Sequence, residues 1–118
     1  MTMDNPATIS AIIFDAADPA ELAAFYAQLT GWETSYQDDD FHSLGTGPIK
    51  LGFQRVADYR GPAWPDPAKH AHLDLSVSDL DAAVRRAIAI GAHKPEFQPG
   101  DTWVVLTDPE GHPFCLTS

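Results

Sequence analysis

The chain has 118 residues, a single cysteine (Cys115), and 7 basic against 17 acidic side chains, for a formal net charge of −10. This length suits one domain that buries roughly two-thirds of the open chain's surface, while the acidic balance and scattered basic residues exclude ordinary binding to nucleic acid or anionic membranes. An internal disulfide is excluded, and the sequence shows neither a secretion signal nor an apolar run of about 20 residues, so we expect a soluble cytoplasmic protein.

The first half of the chain predicts one helix among four strands. Apolar and β-branched residues at 9–16 predict a strand, and Asp18 followed by Pro19 provides an N-cap and a first-turn proline. Apolar residues then recur at helical spacing as far as Gly31, which is placed to end the helix with a positive φ. Three further strands are predicted at 32–36, 41–44 and 49–56.

The second half repeats this order. Residues 70–77 predict a strand, Asp79 caps a helix that Gly91 ends, and the two N-caps, Asp18 and Asp79, are 61 residues apart. The predicted buried stripe of this helix is Leu80, Val84, Ala87 and Ile88. Its three later strands are predicted at 92–97, 102–107 and 112–117.

The repeat predicts a single α+β domain over 1–118, with two tandem βαβββ modules at about 8–56 and 70–117. Their strands should form a curved mixed sheet around a central cup, with the helices outside. The linker 57–69 carries three prolines, which make it stiff and unsuited to a central strand. Its aromatic residues, Tyr59 and Trp64, suit either stacking over a ligand or covering the edge of the sheet.

Alternation along 70–77 assigns the two faces of that strand. Its apolar residues should meet the helix, and the opposite row should face the cup; that row is His70, His72, Asp74 and Ser76. The backbones of two histidines at this spacing are about 6.5 to 7 Å apart, close enough for both side chains to lean toward one ion. Alternatively, His70 at the strand end suits a solvated edge position, whereas His72 in mid-strand suits burial with a partner. Asp74 would orient a histidine, act as a base, or bond backbone amides.

Four segments together resemble the vicinal oxygen chelate superfamily. They are AAFYAQLTGW, HAHLDLSV, SDLDAAV and the DPEGHPFCL segment at 108–116. The superfamily includes glyoxalase I, extradiol dioxygenases, fosfomycin-modifying enzymes and bleomycin-resistance proteins, and the chain looks most like the glyoxalase-like domains common in bacteria. The resemblance implies the paired-module fold over nearly the whole chain.

In the metal-dependent members, the ligands come from the first and last strands of each module. By resemblance, the first-strand positions are Ala11 and His72, and the last-strand positions are Gln54, or Gly52 if the register slips by two, and Cys115. Only His72 is a standard ligand of the family, where Cys115 replaces a glutamate. A divalent ion would be coordinated by His72, Cys115 and Gln54, and these three ligands predict no tight metal site.

The sequence therefore predicts a metal-independent, small-molecule-binding protein without a cofactor, which by resemblance sequesters an aromatic or natural-product ligand as a homodimer. The predicted ligand-binding residues are Gln54, His72, Asp74, Cys115, Tyr59, Trp64 and Trp103. The alternative is a metal-dependent or acid–base lyase, isomerase or dioxygenase, for which His72 and Asp74 are the candidate catalytic residues. A third possibility is a noncatalytic interaction domain, which would have no cavity of ligand size.

Overall fold

The computed structural model describes residues 9–61, 64–65 and 71–118. In the first half, a four-stranded sheet has the spatial order β1-β4-β3-β2, with β1 parallel to β4 and the other pairs antiparallel. Its elements are β1 (Ala11–Ala16), α1 (Pro19–Thr30), β2 (Thr34–Gln37), β3 (Phe41–Leu44) and β4 (Lys50–Arg55).

The second half contains a three-stranded sheet with the order β5-β7-β6, in which β5 is parallel and β6 antiparallel to β7. Its elements are β5 (Leu73–Ser76), α2 (Leu80–Ala89), β6 (Trp103–Thr107) and β7 (Pro113–Thr117). The predicted α+β architecture of two related modules is confirmed, and the two sheets are not joined into one closed sheet. Neither helix within the described residues is long and apolar enough to cross a membrane.

Both helices begin where the sequence predicts. Asp18 and Asp79 have extended backbones and accept hydrogen bonds from the amides of Glu21 and Ala82, each at 3.1 Å. These contacts satisfy amide groups that have no partner inside the first helical turn. Gly31 has a φ of 76° and ends α1 in the left-handed conformation, as its position predicts.

The predicted strand at 92–97 is wrong. Within the described residues this segment makes one isolated bridge, between His93 and Thr107, and no continuous pairing. Pro95 lacks the amide hydrogen that a ladder requires. The side chain of Gln98 pairs with β6 in its place: its oxygen accepts from the Val105 amide and its nitrogen donates to the Val105 carbonyl, both at 2.9 Å.

The hydrophobic core lies between the helices and the helix-facing sides of the two sheets. Its aromatic centre is Tyr26 of α1, whose ring lies 5.4 Å from Phe53 and 6.3 Å from Phe114. One helix therefore packs on both sheets. In α2 the predicted buried stripe is confirmed in part: Ala87 is buried, Leu80 and Val84 are partly buried against the core, and Ile88 is 46% exposed.

A buried polar cluster also joins the modules. The carboxylate of Asp108 accepts from the Tyr26 hydroxyl at 2.8 Å and lies 2.7 Å from Nδ1 of His112. Nε2 of His112 lies 2.9 Å from both the Asp15 carbonyl and the Tyr59 hydroxyl. The DPEGHPFCL turn is thereby fixed against strand β1 and the start of the linker.

Candidate functional site

A cavity of about 350 Å³ opens on the face of the second sheet that is turned away from the helices. Strand β7 forms its centre, β5 one side and β6 the other. Its lining residues are His72, Asp74, Thr102, Trp103, Cys115, Thr117 and Ser118. A volume of this size falls within the range of pockets that bind small organic molecules, roughly 300 to 1,000 Å³.

Strand alternation explains why these side chains meet. Leu73 and Leu75 pack toward the core, so Asp74 between them faces the cavity. Asp74 is opposite Cys115 in the parallel β5–β7 pair. Trp103 is opposite Thr117 in the antiparallel β6–β7 pair, one row further along β7.

His72, Asp74 and Cys115 form a compact cluster of one nitrogen, one oxygen and one sulfur ligand atom, all within 4.8 Å of one another. Nε2 of His72 lies 3.2 Å from a carboxylate oxygen of Asp74. The prediction that His72 is buried in mid-strand is wrong: its side chain is 43% exposed, because it precedes the first residue of β5, Leu73. Burial, together with the negative charge and hydrogen bonding of Asp74, raises the pKa of the Cys115 thiol. Cys115 is therefore a protonated, weakly nucleophilic group at neutral pH.

Trp103 forms the aromatic wall of the cavity and is 37% exposed. Its indole lies against Gly100, where an added Cβ would come within 2.2 Å of the ring. The absence of a side chain at this position is what lets the indole occupy its place.

The corresponding face of the first module is apolar. By the 61-residue offset, Ile13 corresponds to Asp74, and Ile13 is paired with Gly52 as Asp74 is paired with Cys115. Gly52 is thus the counterpart of Cys115. The structure therefore has the alternative register, in which Gly52 replaces Gln54 at the ligand position. A Cβ at Gly52 would lie 2.5 Å from Ile13 Cδ1 and 2.7 Å from Phe41 Cζ, so apolar side chains already fill this space.

This geometry tests the metal site that the family resemblance implies. The first module offers Ala11 and Gly52 at the ligand positions, and neither side chain has a donor atom. The residues present do not fit an ion held between both modules. What remains is the cluster of the second module, which offers one oxygen, one nitrogen and one sulfur ligand atom.

The other predicted site residues lie elsewhere in the structure. Gln54 lines a separate groove with Asp38, Phe41 and Arg55, because its register places it beside Asp15 and two residues beyond Gly52. Tyr59 stacks on His112 at 5.4 Å and belongs to the polar cluster between the modules.

Trp64 of the linker stacks on Phe97 at a ring distance of 6.4 Å and donates to the Phe97 carbonyl at 3.2 Å. His70, the other predicted histidine of the polar row, lies outside the described residues. The structure therefore brings together His72, Asp74, Trp103 and Cys115 of the predicted set.

Three hydroxyl residues of the cavity, Thr102, Thr117 and Ser118, are absent from the predicted set. Thr117 lies two residues after Cys115 on the same strand face, so alternation alone would have found it. Thr102 precedes β6, and no periodic pattern indicates where its side chain lies.

The two-module fold, with its cavity on the face opposite the helices, defines a member of the vicinal oxygen chelate superfamily. The sequence model described as a glyoxalase-like domain matches residues 11–117, and the chain belongs to that family. A search of curated proteins found no match.

Solved structures share the fold at low sequence identity. A glyoxalase/bleomycin resistance protein/dioxygenase family enzyme from Burkholderia phytofirmans PsJN has 24% identity and a TM-score of 0.74, over 93% of this chain and 97% of that one. A glyoxalase family protein from Enterococcus faecalis has 18% identity and a TM-score of 0.70, over 94% and 97%. A bleomycin-binding protein complexed with bleomycin has 24% identity and a TM-score of 0.60, over 95% and 98%.

Proposed function

We propose that this protein binds a small aromatic or natural-product ligand in the cavity of its second module, without a metal ion, and acts by sequestering it. The observation that carries the proposal is the combination of an open cavity, an exposed indole wall and polar groups on neighbouring strands. Aromatic side chains provide a large contact area, while a few placed polar groups fix the orientation of the ligand.

The asymmetry between the modules supports binding rather than metal-dependent catalysis. Polarising a substrate requires a Lewis acid held by several donors. Ala11, Ile13 and Gly52 supply none on the first module, where the same strand positions form an apolar surface. Such a surface suits contact with the apolar part of a ligand, or with a second copy of the chain in a homodimer.

A thermal-shift screen of aromatic compounds and natural products against metal-stripped protein tests this proposal. A ligand present at 100 times its dissociation constant stabilises the folded state by about 2.7 kcal/mol, which is a measurable shift. We expect Trp103→Ala to abolish the shift produced by a hit.

The matched control for Trp103 is Trp32→Ala, because Trp32 is similarly exposed (41%) and does not line this cavity. The control should retain the shift. Hits that bind equally well to the Trp103 variant, or only after a divalent metal is added, would contradict the proposal.

A second candidate is a metal-independent acid–base enzyme, favoured by the 3.2 Å contact between His72 and Asp74 at the cavity. A carboxylate that orients an imidazole is a common arrangement for moving a proton. The distinguishing result is turnover of a bound compound that His72→Ala removes while the affinity for that compound survives.

A further inference from the structure

The cavity of the second module has a one-sided charge distribution. Among the lining residues that the structure describes, Asp74 is the acidic one and there is neither Lys nor Arg. The Asp74 side chain is 67% exposed, so its carboxylate is available to a ligand. A bound group that complements this wall would be a hydrogen-bond donor with a positive charge.

Asp74 has two described neighbours at the cavity. Nε2 of His72 lies 3.2 Å from one of its carboxylate oxygens, and Cys115 is its pairing partner on β7. Because most of the Asp74 side chain remains exposed beside these neighbours, a ligand cation can reach the carboxylate.

Trp103 provides the second half of a cation-binding arrangement. It lies on β6 and Asp74 on β5, with β7 between them and an offset of two residues along the strands, so the two backbones are about 12 Å apart. A planar ring resting on the indole can thus direct a substituent toward the carboxylate. The face of an indole itself attracts a nearby cation, by about 0.5 to 2 kcal/mol.

The charge of the whole chain acts in the same direction. With 17 acidic and 7 basic residues, the net charge of −10 raises the local concentration of small cations. Beyond a Debye length of about 8 Å this attraction is largely screened at physiological salt. The net charge therefore assists only the capture of a cation near the surface, and the direct contact with Asp74 determines selectivity.

From these observations we propose that the ligand of this cavity is a planar aromatic compound bearing a protonated nitrogen, such as an aryl amidine, an aryl guanidine or an arylalkylamine. The inference rests on the proposed binding function and adds the chemical class of the ligand. Asp74 is its specificity-determining residue: the carboxylate accepts hydrogen bonds from the cation while Trp103 stacks on the ring.

Three compounds of nearly the same shape test this assignment: 2-naphthamidine, 2-naphthamide and 2-naphthoate, with charges of +1, 0 and −1. Their dissociation constants are measured by titration calorimetry with metal-stripped protein at low and high salt. We expect the amidine to bind about tenfold more tightly than the amide and the naphthoate to bind most weakly. The amidine preference should shrink as salt increases.

Asp74→Asn should remove the amidine preference, so that naphthamidine and naphthamide bind this variant with similar dissociation constants. The matched control is Asp101→Asn, which removes the same charge from an exposed residue close to Trp103 that does not line the cavity. This control should keep the preference. Because Asp74 is exposed, both variants should retain the thermal stability of the native chain, which a melting curve verifies.

The outcomes separate the class of ligand from the binding function. Equal binding of amidine and amide, or an amidine preference that persists in Asp74→Asn, overturns the assigned class while the proposed function stands. If none of the three compounds binds and the wider aromatic screen is also empty, both the class and the proposed function fail.

Discussion

Gly100 determines where the Trp103 indole lies, although glycine itself makes no side-chain contact. The ring occupies the volume that a Cβ at this position would take, at 2.2 to 2.5 Å from the Cβ site. Such a constraint is invisible in the sequence, because the two residues are three apart in an irregular segment where no periodicity applies. The sequence identified Trp103 as a candidate and gave no reason for its placement.

Gly100→Ala should therefore displace the indole and weaken ligand binding by about tenfold or more, since stacking depends on ring position. The measurement is ligand affinity together with the indole Nε1–H chemical shift of Trp103. Gly47→Ala is the control, because nothing lies within 4 Å of its Cβ position. An unchanged Trp103 signal in the Gly100 variant would disprove the constraint.

Cys115 should react slowly with alkylating reagents in the folded protein. It is 8% exposed, and burial together with Asp74 raises the pKa of its thiol, so little thiolate forms near pH 8. We expect iodoacetamide to modify it at least about tenfold more slowly than glutathione, measured by mass spectrometry.

Two controls accompany the alkylation measurement. Asp74→Asn should accelerate the reaction by removing the neighbouring negative charge, and unfolding in guanidinium should restore an ordinary rate. A native rate equal to that of glutathione would contradict the description of the site.

At the scale of elements, the helices were predictable and one strand was not. Asp18, Asp79 and Gly31 have local chemistry that fixes the helix ends, and the structure confirms each. Alternation also placed Asp74 on the cavity face. The strand predicted at 92–97 is wrong because the side-chain amide of Gln98, rather than this backbone segment, pairs with β6. β-propensity does not detect such a tertiary contact.

Gln98→Ala should lower the free energy of unfolding by about 1 to 3 kcal/mol, because the buried amide and carbonyl of Val105 lose their partner. Urea unfolding measures the change. The control Gln28→Ala removes an amide from the exposed face of α1 and should cost less than about 0.5 kcal/mol. Equal effects in the two variants would mean that Gln98 does not take the place of a strand.

At the scale of the whole molecule, the DPEGHPFCL segment has two roles that its sequence did not separate. Its turn carries Asp108, Glu110 and His112, which bind the first module, while Cys115 faces the cavity. The Glu110 carboxylate accepts from the amides of Ala17 and Asp18 at the start of α1. The family resemblance identified the segment, but only the three-dimensional fold shows that it joins the modules.

The sequence likewise left open which residue of the first module corresponds to Cys115 of the second. Counting by the 61-residue offset assigns Gln54 as the counterpart of Cys115, whereas pairing assigns Gly52, which is 63 residues before Cys115. The difference arises because Gly52 follows its pairing partner Ile13 by 39 residues, whereas Cys115 follows its partner Asp74 by 41. This shift removed Gln54 from the predicted cavity and left the two ligand positions of the first module, Ala11 and Gly52, without a donor atom.

The cluster between the modules should make stability pH-dependent. Burial alone would lower the pKa of His112, but the hydrogen bond and charge of Asp108 and the Asp15 carbonyl raise it overall above its ordinary value. The folded state thus binds the proton more tightly than the unfolded chain, whose histidine titrates near about 6.5. This stabilisation is complete below that pH and is lost as pH rises through the folded pKa.

Urea unfolding between pH 5.5 and 8.5 measures this dependence, and His112→Gln should flatten it. The control variant His93→Asn, at an exposed position, should keep the native slope. A slope that survives the His112 substitution would contradict the assignment. At higher pH the tyrosines of the same cluster remain protonated, since burial raises the pKa of Tyr26 well above its ordinary value and that of Tyr59 to about 12.

The central claim is that the cavity of Asp74, Trp103 and Cys115 binds an organic ligand without a metal ion. The most direct measurement is the affinity of an aromatic ligand for protein stripped of metal, in the presence of a chelator and again after adding zinc, nickel or manganese. The account predicts the same dissociation constant in all cases, with chemical-shift changes centred on Trp103. Binding that disappears in chelator and returns with one of these ions would contradict it.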